Sequence, residues 1–186
     1  MPKRQRTPIE IQRIKTRLRK IYFKRFKRFT KKSETKDILN TIHENMRNNI
    51  NDLLLSFEKS IQDKKIMAYE PFSTEPPVLN ILETLNLNVY YPKIEGSILK
   101  AVSSNKSEER NISEMDIIIV PGLFVTKEGC RLGRGKGYYD RTLKLAPHIK
   151  TIFLCYSWQI LRALPIEEHD IRIKIICSEK DWFLCI

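Results

Sequence analysis

The sequence predicts an α/β fold: a single three-layer αβα Rossmann-like domain with a mainly parallel sheet and N-terminal helices. Two observations predict it. Short, continuous apolar runs alternate with helical patterns over residues 63–186, and an amphipathic helical pattern fills residues 1–62. Strands that are apolar on both faces are typical of a parallel sheet covered by helices on each side. In such a sheet, ligands bind at the carboxyl ends of the strands.

Residues 1–62 are predicted to form a basic helical region that packs on the core. In its first half, apolar residues recur at three- and four-residue steps, at Ile11, Ile14, Leu18, Ile21, Tyr22, Phe26 and Phe29. The opposite face is basic, with Arg13, Arg17, Lys20, Lys24, Lys27 and Lys31. A second helix is predicted to start at about Ser33, a suitable N-cap. Its buried side is predicted to be Ile38, Ile42, Met46, Ile50, Leu53, Phe57 and Ile61.

The positive charge is concentrated in the first of these helices. Residues 1–36 hold 15 basic and 2 acidic side chains, whereas the whole chain of 186 residues has a formal net charge of +12. A field of this strength attracts nucleic acid or an anionic surface. The apolar stripe, however, needs a protein partner, and no nucleic-acid-binding motif is visible. A solvated charged face and a nucleic-acid surface therefore both stay open, and the second is not favoured.

Residues 63–186 are predicted to form the α/β core. Apolar runs predict five strands, at 66–69, 89–91, 117–120, 151–156 and 173–177. Two helices are predicted, from Pro76-Pro77 to about Leu85 and from about Tyr138 to Leu145. Pro92 is expected to end the second strand. The polar residues 93–114 are predicted to be a loop.

Composition excludes several classes of protein. The longest apolar runs are about five residues, too short for a membrane-spanning helix. The N-terminal charges are not followed by the apolar segment of a secretory signal. The four cysteines, Cys130, Cys155, Cys177 and Cys185, form no CxxC pair, which excludes a zinc knuckle. We expect reduced thiols in a cytoplasmic, monomeric protein that does not bind membranes.

Residues 129–140 carry the strongest chemical signal, with the sequence Gly-Cys-Arg-Leu-Gly-Arg-Gly-Lys-Gly-Tyr-Tyr-Asp. Three of the six glycines of the chain, Gly133, Gly135 and Gly137, fall within five residues. Alternating glycines let the backbone turn tightly and approach a ligand closely. The order strand, glycine loop, helix then directs backbone N–H groups and the positive end of the helix dipole towards that ligand.

Charged residues in the same loop indicate the kind of ligand. Arg131, Arg134 and Lys136 supply three cations, which suit a polyphosphate, and Asp140 is an oxygen ligand suited to Mg²⁺. A cation-rich loop beside a metal-binding carboxylate is what phosphoryl transfer requires. The loop has neither a Walker A sequence nor a GxGxxG fingerprint. A flexible basic surface loop is the alternative interpretation of the residue types alone.

The string PGL…GxRLGRGKGYYD resembles the signature of the 5-formyltetrahydrofolate cyclo-ligase family, also called methenyltetrahydrofolate synthetases. Weaker landmarks of that family occur in the same order. Lys15, Leu18 and Arg19 fit an N-terminal Lys-x-x-Leu-Arg pattern, and Glu75 fits a glutamate after the first strand. Trp158-Gln159, Leu164-Pro165 and His169-Asp170 fit the C-terminal pattern. The resemblance spans roughly residues 11–180.

This resemblance implies an ATP-dependent ligase that converts 5-formyltetrahydrofolate to 5,10-methenyltetrahydrofolate. It implies ATP contacts from Lys15, Arg19, Arg131, Gly133, Arg134, Gly135, Lys136, Gly137, Tyr138 and Tyr139. Among these, Arg134 and Lys136 would be catalytic because they would neutralise phosphate charge near the reacting centre. Asp140 and Asp170 would hold Mg²⁺. Glu75 and Tyr138 would line the folate site.

Four departures from the family pattern concern the folate side. Leu87-Asn88 stands where the family has Gly-Lys, and Phe124-Val125-Thr126 where it has a small residue, Phe and Asp. The segment 93–114 is too short for the Glu-Pro element of the family, and a second acid is replaced near Lys174. These departures predict an intact nucleotide loop beside a rebuilt folate-side wall. The alternative is a catalytically diverged relative that binds nucleotide, or nucleic acid through its basic N-terminal helix.

Overall fold

The computed structural model describes residues 6–32, 36–57, 61–83, 85 and 87–186. The helices are α1 (Pro8–Lys32), α2 (Lys36–Phe57), α3 (Val78–Glu83) and α4 (Tyr138–Lys144). The strands are β1 (Lys65–Met67), β2 (Asn88–Glu95), β3 (Ile98–Ser103), β4 (Glu109–Asn111), β5 (Ile117–Ile119), β6 (Phe124–Thr126), β7 (Arg131–Leu132), β8 (Lys150–Leu154), β9 (Ile160–Leu161), β10 (Ile175–Cys177) and β11 (Trp182–Leu184). Two 3₁₀ turns cover Ile112–Glu114 and Ser157–Gln159.

The central sheet has eight strands in the order β11-β10-β8-β5-β1-β2-β3-β4. The five strands from β10 to β2 pair in parallel, and the strands at both edges pair antiparallel to their neighbours. The structure thereby confirms the predicted α/β fold with a mainly parallel sheet. A second sheet, not predicted from the sequence, has three short strands in the order β7-β6-β9.

Side chains of the central strands alternate between two separate cores. On β5, Ile117 and Ile119 pack in the core that α2 and α3 cover, with Met46 and Ile50 of α2. Ile118 faces the opposite core, which includes Leu143 of α4. This period-two alternation between two buried faces explains why the strands read as continuous apolar runs.

Helix α1 packs against the small sheet through Tyr22. The side chain of Tyr22 is fully buried, and its ring lies 5.6 Å from the Phe124 ring and 5.3 Å from that of Trp158. Its hydroxyl donates to the backbone oxygen of Thr74. The basic residues predicted for the other face of α1 are all exposed, from Arg13 to Lys31. Among the described residues, no helix is both long enough and apolar enough to span a membrane.

The prediction of a loop at 93–114 is wrong, because this segment contains a β-hairpin and a further strand. Strand β2 continues through Pro92 to Glu95 and pairs with β3. Its pairing with β1 covers only Asn88 to Tyr90. At Pro92, β2 therefore has a paired strand on one side only among the described strands. The proline, which has no N–H, can lie there because no hydrogen bond to a strand on the other side is lost.

The second helix departs from its prediction at both ends. Ile38, expected on the buried side, is 47% exposed. Ile61 is buried but lies beyond the end of α2 at Phe57. Ser33, the expected N-cap, lies outside the described residues.

Replacing Tyr22 should detach α1 from the small sheet. We expect Tyr22→Ala to lower the free energy of unfolding by about 3–5 kcal/mol, because it removes a fully buried aromatic ring. Tyr22→Phe should cost about 1 kcal/mol, for the lost bond to Thr74. The control is Phe23→Ala, at a side chain 46% exposed. Denaturant titration measures all three, and equal losses for Tyr22→Ala and Phe23→Ala would contradict the packing described here.

Candidate functional site

A cavity of about 830 Å³ opens at the carboxyl ends of β1 and β5. Tyr69, two residues beyond β1, and Pro121-Gly122, just beyond β5, form its base. The volume lies within the usual range for small-molecule sites. Every site residue predicted from the sequence lines this one cavity: Lys15, Arg19, Glu75, Arg131, Gly133, Arg134, Gly135, Lys136, Gly137, Tyr138, Tyr139, Asp140 and Asp170.

The glycine loop turns sharply between β7 and α4. Gly135 has φ +102° and Gly137 has φ +70°, backbone conformations that residues with a side chain rarely adopt. Helix α1 approaches the loop closely, since Arg19 Nε donates to the carbonyl oxygen of Gly133 at 3.1 Å. A Cβ atom on Gly135 would lie 3.2 Å from Arg19 Nη2. The glycines thus serve both the turn and the contact with α1.

Arg131 and Asp140 join the two ends of this loop. Arg131 is buried, and its Nη2 lies 2.9 Å from each carboxylate oxygen of Asp140. Its Nη1 donates to the carbonyl oxygen of Pro121 at 3.1 Å. One guanidinium therefore ties β7 and α4 to the chain just after β5.

Arg134 connects the glycine loop to the segment after β1. Its Nε and Nη2 lie 3.1 and 3.0 Å from Oε1 of Glu75, a buried carboxylate. The other oxygen of Glu75 accepts from the backbone N–H of Phe72 at 3.0 Å. The Arg134 guanidinium also lies 4.3 Å from the centre of the Phe72 ring, within cation–π range.

Lys15 lies between two carboxylates that also line the cavity. Its ammonium is buried and lies 2.8 Å from Glu167 and 2.6 Å from Asp170. The hydrogen bond from Lys15 lowers the pKa of Glu167. Oxygens of Glu167 and Asp170 and a ring nitrogen of His169 come within 4.8 Å of one another, which is close enough for one metal ion.

Lys136 and Tyr139 offer polar groups without hydrogen-bond partners in the described part of the chain. No acceptor among the described residues binds the exposed Lys136 ammonium, which borders the cavity. The Tyr139 hydroxyl is buried and has no hydrogen-bond partner in the described part of the chain. Burial is the main reason that the pKa of Tyr139 is raised. Tyr138, in contrast, lies under the guanidinium of Arg141, 5.2 Å away.

The apolar wall of the cavity was missed in the sequence. Pro92, Ile94 and Leu99 of the β2–β3 hairpin line it, together with Phe72. The segment was interpreted as a loop because it contains many polar residues. In a strand with one solvent-exposed face, these polar residues obscure the alternation of apolar and polar side chains. The sequence signal that could have revealed the hairpin is Gly96, since glycine favours hairpin turns. In the structure Gly96 lies in the turn with φ +58°.

Fold and cavity together define a doubly covered α/β protein with a cavity at the carboxyl edge of its parallel sheet, the place where proteins of this class bind ligands. A solved structure of a 5,10-methenyltetrahydrofolate synthetase from Aquifex aeolicus has this fold. It matches with a TM-score of 0.71 at 24% sequence identity, covering 92% of this chain and 93% of that one.

Sequence comparison places the chain more narrowly. The profile of the 5-formyltetrahydrofolate cyclo-ligase family matches residues 90–179. The 5-formyltetrahydrofolate cyclo-ligase of Mycoplasma pneumoniae is 30% identical over 122 residues, which cover 63% of this chain and 74% of that protein. The one from Mus musculus is 32% identical over 113 residues, 57% of this chain and only about half (51%) of the mouse protein. The chain belongs to the 5-formyltetrahydrofolate cyclo-ligase family, which confirms the resemblance found in its motifs.

The ion pair of Glu167 predicts a defined dependence of stability on pH. Because the pKa of Glu167 is lowered in the folded state, its ionised form stabilises the fold above the usual value of 4.5, and this contribution is lost as the pH falls through the folded-state pKa. We expect Glu167→Gln to cost about 1 kcal/mol at neutral pH. The difference from the parent should shrink below about pH 4.

Denaturant titration of parent and variant at a series of pH values measures this dependence. The matched control is Glu168→Gln, at the exposed neighbour, which should behave like the parent at every pH. A cost for Glu167→Gln that stays constant into the acid range would refute the role given to the Lys15 contact.

Proposed function

We propose that this protein converts 5-formyltetrahydrofolate to 5,10-methenyltetrahydrofolate, with transfer of the γ-phosphoryl group of ATP and release of ADP and phosphate. Membership in the 5-formyltetrahydrofolate cyclo-ligase family supports this proposal. The observation that carries it is the convergence of the nucleotide-side and folate-side motif residues on one cavity. A single cavity can bring the formyl group of a folate against the terminal phosphate of ATP, as direct phosphoryl transfer requires.

In the proposed reaction, the formyl oxygen on nitrogen 5 attacks the γ-phosphorus of ATP, and ADP leaves. Nitrogen 10 then attacks the formyl carbon, loses its proton and closes the ring, and the C–O bond breaks as inorganic phosphate departs. Phosphorylation is needed because the formyl oxygen is otherwise a poor leaving group. The task of the protein is to align the two substrates and to shield the phosphorylated intermediate from water.

Lys136 and Arg134 are the residues we propose for charge neutralisation at the transferred phosphate. The Lys136 ammonium borders the cavity and is free of acceptors within the described chain, so a phosphate oxygen can bind it without breaking an existing ion pair. Arg134 already shares its charge with Glu75. We therefore expect Lys136 to contribute more to the reaction than Arg134.

For the rest of the nucleotide we propose the backbone of Gly133–Tyr139, with Lys15 and Arg19 from α1. Both cations line the cavity beside the loop. Arg131 would act indirectly, because its guanidinium is engaged by Asp140 and the Pro121 carbonyl and so maintains the shape of the loop.

The residues present fit a magnesium ion that is bound together with ATP. Carboxylate oxygens are the ligands Mg²⁺ prefers, and those of Asp170 and Glu167 are close enough to share an ion, which would compete with the Lys15 ammonium that contacts both. Arg131 contacts both carboxylate oxygens of Asp140. An Asp140 oxygen that bound magnesium would therefore share its negative charge between the ion and Arg131. When bound, magnesium neutralises phosphate charge and orients the terminal phosphate. Asp170 and Asp140 remain our proposed ligands, with Glu167 as a third.

We assign the folate side to Glu75, Tyr138 and the β2–β3 hairpin. Glu75 and Tyr138 line the cavity, and Ile94 and Leu99 add apolar surface to its lining. A flat pterin ring would be bound by such apolar contacts, while a carboxylate can accept hydrogen bonds from its ring nitrogens. The short hairpin would thus replace the longer folate-side segment that the family motif led us to expect.

A second candidate function rests on the exposed basic face of α1. If the protein is a diverged relative, it would bind nucleotide without turnover, or nucleic acid through this face. The six predicted basic side chains of the face are exposed. Their field would attract any polyanion.

Mixing the purified protein with Mg-ATP and 5-formyltetrahydrofolate should develop the absorbance of the methenyl product. Lys136→Ala should lower kcat by about 10²–10³-fold, because it removes a cation that faces developing phosphate charge. The control is Lys144→Ala, at an exposed position in the last turn of α4 and outside the cavity lining. Full activity of Lys136→Ala would exclude our assignment of the loop. Tight ATP binding without turnover would favour the diverged relative.

The salt dependence of RNA binding distinguishes a nucleic-acid-binding face from a merely solvated one. If the basic face is only solvated, the protein should no longer shift an RNA oligonucleotide in electrophoresis at about 0.15 M salt. Salt ions compete with phosphate contacts, so non-specific electrostatic binding weakens steeply as the salt concentration rises. A shift that persists at this salt, and that Lys24→Gln together with Lys27→Gln abolishes, would support the alternative.

A further inference from the structure

Arg141 bridges two walls of the cavity although it does not line the cavity itself. It lies on α4, one residue after Asp140, and its side chain is exposed. Its Nε donates to the carbonyl oxygen of Ser97 at 2.7 Å. Its Nη2 donates to the carbonyl oxygen of Lys136 at 3.1 Å. One side chain therefore contacts the tip of the β2–β3 hairpin and the backbone of the glycine loop.

The guanidinium also lies close to two neighbouring residues. It lies 5.2 Å from the centre of the Tyr138 ring, on the same helix. A Cβ atom on Gly137 would lie only 2.6 Å from Arg141 Nη1. The positive φ of Gly137 requires glycine for the turn into α4, and the absence of a side chain leaves room for this guanidinium.

The hairpin needs such a contact because its outer half extends beyond the sheet. Among the described strands, β1 pairs with β2 only as far as Tyr90, and β4 pairs with β3 only from Lys100 to Val102. Residues 91–95 pair only with β3 in this part of the chain. Two hydrogen bonds join the hairpin to α4 in the described chain, Arg141 Nε to the Ser97 carbonyl oxygen and the Leu99 N–H to Thr142 Oγ1 at 3.0 Å, beside apolar packing of Leu99 in the core that includes Leu143.

We propose that Arg141 is a positioning residue that fastens the β2–β3 hairpin to the glycine loop and so sets the folate-side wall of the cavity. This inference rests on the proposed function. Ile94 and Leu99 flank the fastened turn and line the cavity. Arg141 thus acts on the substrate through these apolar side chains and through Tyr138.

The chemistry of arginine suits this role. Its Nε and Nη2 donate in two fixed directions, whereas a lysine ammonium is a single point charge on a flexible chain. The glycine loop has other attachments, through Arg19, Arg131 and Arg134. The hairpin is also held by the Leu99 bond to Thr142 and by the exposed ion pair of Lys93 with Glu109 of β4. Of these attachments, the one from Arg141 also reaches the backbone of the glycine loop at Lys136, so loss of the Arg141 side chain should weaken folate binding more than nucleotide binding.

Arg141→Gln and Arg141→Lys, with Lys144→Gln as the matched control on the same helix, test this role. In Arg141→Gln, backbone amides of residues 96–99 should exchange hydrogen about tenfold faster, because a two-point contact is lost. The KM for 5-formyltetrahydrofolate should rise about tenfold, while the KM for ATP stays within about threefold of the parent. Arg141→Lys should be intermediate, and Lys144→Gln should match the parent in every measurement.

Unchanged exchange at residues 96–99 in Arg141→Gln would overturn the proposal. So would an equal loss for folate and ATP, which would indicate a general defect of the fold. The exchange measurement needs no substrate. It therefore tests the contact even if the parent shows no turnover, an outcome that would count against the proposed function alone.

Discussion

The ion pair of Arg131 with Asp140 is the interaction on which the rest of the site depends. It is buried on the arginine side and joins the strand before the glycine loop to the helix after it. The same guanidinium reaches the carbonyl oxygen of Pro121, so the loop is fixed relative to the central sheet. The loop can therefore hold two glycines at positive φ while its position at the edge of the cavity stays fixed.

Around this anchor, the cavity is assembled from segments that are distant in sequence. Helix α1 contributes Lys15 and Arg19, the segment after β1 contributes Glu75, and the C-terminal part contributes Asp170. The site residues of each segment also make a charged contact with a neighbouring segment, in addition to the apolar packing that holds α1 through Tyr22. Such contacts are strong in partly buried sites and leave the cavity surface polar where phosphate would bind.

The sequence allowed good prediction where the signal is local. The apolar runs of β5 and β8 and the spacing of the glycine loop are features of neighbouring residues, and both led to the right elements. The hairpin was missed because one of its faces is solvated at an edge of the sheet, so its polar residues resemble a loop. The roles of Ser97 and Arg141 could not be predicted, since their contact joins residues 44 positions apart.

Helix α1 carries its site residues and its main core residue on the same face. Lys15, Arg19 and Tyr22 are four and three residues apart, and the first two reach the cavity while the third is buried against the small sheet. Because each residue of an α-helix turns the chain by about 100°, inserting a single residue between Arg19 and Tyr22 would swing both cations away from the loop. The number of residues between Arg19 and Tyr22 is thus as constrained as their identity, because it sets where the cations lie relative to the buried tyrosine.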